Sequence, residues 1–121
     1  MGLPAENRIR KRRDFLSVQG KGLRLSCGPF ILLCAARDED FADSPPRLGL
    51  VASRKVGNAV VRNRAKRRFR ALFRHHLKDL PNGSDCVVIL RRGILQFSHA
   101  DLDRRFAKAC RNCRDHLNSH S

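Results

Sequence analysis

In the stretch KVGNAVVRNRAKRRFR, residues 55 to 70, cations recur at helical spacing. Arg62, Lys66, Arg70 and Arg74 follow one another at every fourth position, with Asn63, Arg64 and Arg67 beside them. On a helix such residues are surface neighbours, and like charges so placed cost a few tenths of a kcal/mol per pair. No Asp or Glu occurs between Ser44 and Lys78, so nothing local offsets that cost and the row is not a salt-bridged solvated face. The chemistry open to it is phosphate binding, for which the planar arginine fork suits better than a point charge.

Other candidate chemistries are weaker. His75 and His76 are adjacent, and successive helical residues point to different faces, so they are not expected to act as one ligand pair. Cys110 and Cys113 form a CxxC, but no second CxxC exists and the nearby histidines are only His116 and His120. Their spacing fits the buried face of a helix instead. Cys27, Cys34 and Cys86 sit in apolar runs and read as free, buried thiols. The acids gather in DEDFADSPP, residues 38 to 46, and around the last helical pattern, with no pair set beside a histidine for acid-base or metal work. No catalytic residue and no metal site is therefore expected in the protein itself.

The bulk charge agrees with the row. In 121 residues, 26 Lys and Arg against 11 Asp and Glu give a formal net charge of +15, which points first to nucleic acid and second to an anionic membrane. No apolar run approaches the roughly 20 residues of a helical span. With neither Trp nor Tyr there is also no interfacial anchor. The charged start MGLPAENRIRKRRDF lacks the apolar core of a secretory signal, so a cytosolic location is expected.

The elements that must position the cations can be read from periodicity. RKRRDFLSVQGKG gives a first helix ending at Gly20, with Phe15 and Val18 on one face. LRLSC, PFILLCAAR and RLGLVAS read as three strands, and CVVIL as a fourth after the DLPNGSD turn. Between the third and fourth, Asn58 caps a helix that runs to about Leu77. Its apolar stripe is Val61, Ala65, Phe69, Leu72 and His76, with Arg68 at the edge, where it should snorkel outward. Ser98 caps a last helix with Asp101 in near capping-box position and Leu102, Phe106, Ala109, Cys110 and Cys113 buried. The order α-β-β-β-α-β-α predicts a single α+β domain over residues 1–121, a two-layer sandwich with helices over one face of a small four-stranded sheet.

A strand precedes the cationic helix, and its exposed face is nearly all charge, whereas a major-groove reader carries Asn, Gln or Ser for base edges. Backbone and shape recognition of a folded RNA fits better. The run RLGLVASRKVGNAVVRNRAKRRFRALFR, residues 47 to 74, resembles the signature of the bacterial ribonuclease P protein subunit, most specifically at Arg62, Asn63, Arg64, Lys66 and Arg67. RKRRDFLSVQGKG and GSDCVVILRRG resemble the family's flanking helix and strand, extending the similarity to about residues 8–115.

The resemblance implies a fold similar to domain 2 of ribosomal protein S5, with a left-handed βαβ crossover. It implies two partners, a catalytic RNA and precursor tRNA, and no membrane. That RNA, with Mg2+ held mainly by its own phosphates, would remove the 5′ leader in the bacterial cytoplasm; the protein alone would be a monomer. Docking to the RNA subunit would fall to Arg54, Lys55, Arg62, Asn63, Arg64, Lys66, Arg67 and Arg70. A leader cleft would involve Phe15, Leu33, Ser53, Asn58, Arg62 and Arg92. The family often carries aromatics where this chain has Gln19 and Leu33, which leaves Phe15 as the stacking ring. The alternatives from other classes are a structural ribosomal RNA binder and a DNA-binding regulator.

Overall fold

The computed structural model describes residues 3–119. Its elements are α1 (Arg12–Lys21), β1 (Leu23–Ser26), β2 (Phe30–Ala36), β3 (Arg47–Val51), α2 (Ala59–His75), β4 (Ser84–Leu90) and α3 (His99–Ser119). The sheet order is β1-β2-β4-β3, with β3 parallel to β4 and the other pairs antiparallel. The parallel pair is joined through α2, the βαβ unit that the RLGLVAS and CVVIL runs predict.

β2 and β4 are central and apolar along most of their length, because both of their faces are covered. Alternate side chains part to opposite sides. Phe30, Leu32 and Cys34 join the larger core under α2 and α3, whereas Ile31, Leu33 and Ala35 join a second core with Val18 and Phe15 of α1. Helices therefore lie on both faces, and the expectation of one covered face missed α1. Three rings lock the larger core: Phe30 lies 4.9 Å from Phe69 edge to face, and Phe69 lies 5.9 Å from Phe106. Such pairs add about 0.5–1.5 kcal/mol each beyond the area they bury.

Local signals hold with small shifts. Asn58 Oδ1 accepts from the Val61 N–H at 3.0 Å, and Ser98 Oγ from the Asp101 N–H at 3.1 Å. The reciprocal half of a capping box is missing, because the Asp101 carboxylate turns to Arg104 (2.7 Å) and Arg105 (3.3 Å). α1 runs one residue past Gly20, and β4 begins at Ser84, where Asp85 receives a two-pronged ion pair from Arg47 across the parallel pair (2.8 and 2.7 Å). The segment before α1 lies along the outer edge of β3, with Ile9 N–H donating to Leu48 O at 3.0 Å. That pairing blunts an otherwise open edge.

The cysteines depart from expectation at one place. Cys34 of β2 is bonded to Cys113 of α3 with their Cα atoms 6.3 Å apart, so Cys34 is not a free thiol. The buried face of α3 lies over β2 and brings together residues separated by 79 positions, a meeting that no local pattern encodes. Cys27, Cys86 and Cys110 are free, and Cys113 has no bond to its CxxC neighbour.

Candidate nucleic-acid interface

The site begins with how α2 is mounted. Ala65, Phe69, Leu72 and Phe73 are buried against the sheet and α3, which turns the rest of the helix outward. Asn63, Arg64 and Arg67 are exposed there, and Arg62, Lys66 and Arg70 are half-buried along the margins. Arg54 and Lys55 stand exposed on the turn before the helix. Gly57 makes that turn possible: its φ is 153°, and a Cβ there would meet Val61 at 2.9 Å.

The electrostatics of this face are one-sided. No acid occupies the first turn of α2, so the positive end of the helix dipole adds to the row. Among the described residues, none of Arg54, Lys55, Arg62, Arg64, Lys66, Arg67 and Arg70 forms an ion pair. Several acids elsewhere are paired with other cations, Asp85 and Asp14 with Arg47 and Asp101 with Arg104 and Arg105. Arg62 carries a further signal, because its Nε is buried and has no acceptor within the protein. A buried donor left unpaired costs about 1–3 kcal/mol, a cost that an incoming oxygen would relieve.

Next to the start of α2, a cavity of about 500 Å³ opens where the parallel strands β3 and β4 end. Ser53, Lys55, Val56, Leu90, Arg91 and Arg92 line it. Arg91 is anchored by its backbone N–H to Pro29 O (3.0 Å) and by Nη1 to Gly28 O (3.2 Å). Sequence reasoning missed Arg91 as a wall residue, although its place beside Arg92 in the run after the fourth strand was the available signal.

The predicted leader residues fall into separate groups. Ser53 and Arg92 meet at the cavity, and Asn58 and Arg62 belong to the first two turns of α2. Phe15 and Leu33 lie on the α1 side of the sheet, in the second core. Leu33 is 3% exposed, so it supports that surface from beneath and offers no face to a ligand. Phe15 is half-buried. Arg68 does not snorkel outward: its Nη1 reaches Phe97 O at 3.3 Å and ties α2 to the segment before α3.

A larger hollow of about 830 Å³ lies at the opposite end of the sheet, between α1 and the starts of β3 and β4. Seven cations, from Arg8, Arg10, Lys11 and Arg13 to Lys21, Arg37 and Arg47, line it together with four acids, Glu6, Asp14, Asp38 and Asp85. Its charge is mixed, unlike that of the α2 face.

The fold is an α+β sandwich that sets an unneutralised arginine helix beside the carboxyl ends of a parallel strand pair, a charge arrangement suited to a polyanion. The family model described as Ribonuclease P matches residues 3–114, and the chain belongs to this family, whose members are the protein components of ribonuclease P. A ribonuclease P protein component from Streptomyces griseus is 40% identical over 107 residues, covering 84% of this chain and 87% of that one. One from Beutenbergia cavernae is 39% identical over 102 residues, covering 84% and 83%. The ribonuclease P protein from Thermotoga maritima superposes with a TM-score of 0.74 at 31% identity, covering 87% of this chain and 96% of that one. These matches favour the ribonuclease P subunit over the ribosomal and DNA-binding alternatives. No described helix is long and apolar enough to cross a membrane.

Proposed function

We propose that this chain docks a catalytic ribonuclease P RNA through the exposed face of α2 and guides the 5′ leader of precursor tRNA past its sheet. The observation that carries this is the unneutralised row from Arg62 to Arg70, with the orphaned Arg62 Nε at its margin. Arg64 and Arg67 present open guanidinium forks, which take phosphate oxygens in pairs and release condensed counterions as they do so. Arg54, Lys55, Asn63, Lys66 and Arg70 extend the same surface.

The leader path in this reading starts at the cavity between Ser53 and Arg92 and continues onto the α1 face. Arg92, with Lys55 and Arg91, supplies phosphate contacts; the Ser53 hydroxyl and Asn58 amide supply neutral hydrogen bonds. The Phe15 ring offers a stacking surface, held from below by Leu33 and Val18.

In this proposal the RNA carries the hydrolysis. The described surface at the start of α2 holds cations and the Asn58 and Asn63 amides, and the cavity beside it is lined by Ser53, Lys55, Arg91 and Arg92 with no carboxylate, so this part of the surface does not fit a magnesium ion. Magnesium falls to the RNA phosphates, and the protein's part is to bind, orient and screen charge. The monomeric chain would work in the cytoplasm, as its bacterial relatives suggest.

Reconstitution with a bacterial ribonuclease P RNA and a precursor tRNA tests this reading. The chain should promote removal of the leader, and alanine at any single Asp, Glu or His should leave the chemical step intact in assembled complexes at high magnesium. A substitution that keeps RNA binding and folding yet abolishes cleavage would show a catalytic side chain and overturn it.

A further inference from the structure

We propose that His75, His76 and Asp103 form a binding site for one borderline divalent cation of the zinc type. The sequence argument against a histidine pair fails at the end of α2. His75 is the last helical residue, and His76 is the C-cap, with φ −104° and ψ 16°. Regular helical divergence no longer applies there, and the two rings stand 4.9 Å apart, edge to face at 87°.

Asp103 of α3 reaches the same point, its Oδ1 2.7 Å from His76 Nε2. One donor atom from each of His75, His76 and Asp103 lies within 4.8 Å of the other two. Tetrahedral zinc at about 2.0–2.1 Å from its ligands needs donors roughly 3.3 Å apart, so the wider separations close by about 1.5 Å or less, while the His76 and Asp103 atoms, now in a hydrogen bond, open by about 0.6 Å as the ion takes the place of the proton. His75 is exposed and sits at a helix end, where a rotamer change can supply that movement.

The opposite nitrogen of His76 is also engaged. Nδ1 lies 3.2 Å from Asp79 Oδ2, an arrangement in which an outer carboxylate fixes the tautomer and orientation of a metal-binding imidazole. Two carboxylates, from Asp79 and Asp103, offset the charge of the cation. Three protein ligands leave a fourth position for water on the exposed side. Two imidazoles and one carboxylate suit zinc, copper or nickel, whereas magnesium prefers an all-oxygen octahedron.

A plain hydrogen-bonded clasp from His76 to Asp79 and Asp103 would explain those three residues without a metal. It assigns nothing to His75, so His75 separates the two readings. The probe is zinc chloride, titrated into the untagged full chain against a chromophoric chelator, with cobalt chloride as a spectroscopic substitute.

The wild-type chain should take up one zinc. His75→Ala, at an exposed position, should keep the circular dichroism spectrum and weaken zinc binding at least tenfold. Asp103→Asn should do the same, and Asp79→Asn should weaken binding about tenfold through the ring it orients. The cobalt complex should show no sulfur-to-metal charge-transfer band, which sets this site apart from the free thiols, and millimolar magnesium should leave zinc in place. Zinc affinity unchanged in His75→Ala overturns the proposal, as does a sulfur band, displacement by magnesium, or no saturable binding. If Asp103→Asn does not fold, the His75→Ala result decides alone.

Discussion

The Phe15 ring lies directly on the backbone of Gly49. A Cβ at residue 49 would stand 2.5 Å from Phe15 Cε1 and 2.7 Å from Cζ. β3 thus has to be bare at that point for α1 to approach the sheet, and the pair sets the height of one wall of the proposed leader path.

Gly49→Ala should push the ring and α1 outward. Overpacking of this kind costs about 1–3 kcal/mol, read as a lower urea midpoint with unchanged slope. A midpoint equal to that of the wild type would mean that α1 is not seated on β3 as described.

Phe15→Leu keeps most of the apolar volume over Gly49 and removes the ring face. Stacking of a base on an aromatic is worth about 1–3 kcal/mol, so precursor tRNA should bind the reconstituted complex roughly five-fold or more weakly. Mature tRNA, which lacks the leader, should bind mutant and wild type alike. Equal weakening of both ligands with a lower melting temperature would assign Phe15 to core packing alone.

Much of this arrangement was legible in the sequence. The row from Arg62 to Arg70 and the Asn58 cap depend on spacings of three and four residues, which a helix converts directly into neighbours. The strands followed from short apolar runs between Gly and Pro signals. What remained hidden depended on long-range meetings. The placement of α1 on the second face, the Cys34–Cys113 bond and the gathering of His75, His76 and Asp103 each join elements far apart in the chain. Arg68 was misjudged because its acceptor, Phe97 O, belongs to a segment 29 residues away.

The free thiols should be poor nucleophiles. Burial pushes Cys110 up to about 12, raises Cys86 well above its ordinary value and raises Cys27. Iodoacetamide at about pH 8.5, near the ordinary thiol pKa, should therefore label Cys86 and Cys110 only after unfolding. For Cys110 the unfolded thiol loses its proton near 9.0, while the folded one keeps it to about 12. The unfolded state then binds fewer protons, and the contribution to stability, complete below about pH 9, falls as pH rises toward 12. Cys110→Ala should show a shallower decline over that window; an identical decline would contradict the assignment.

The most direct measurement of the central claim is the salt dependence of affinity for the RNA subunit, compared between the wild type and an Arg64→Ala, Arg67→Ala double mutant. Both residues are exposed and free of acidic partners, so folding should change by no more than about 0.5 kcal/mol per site. Affinity should fall, and the slope of log affinity against log salt should flatten by roughly 0.7–0.9 for each phosphate that the protein no longer neutralises, about 1.4–1.8 in all if each arginine holds one phosphate. Equal slopes for the two proteins, with folding intact, would contradict docking of RNA phosphates by the outer face of α2.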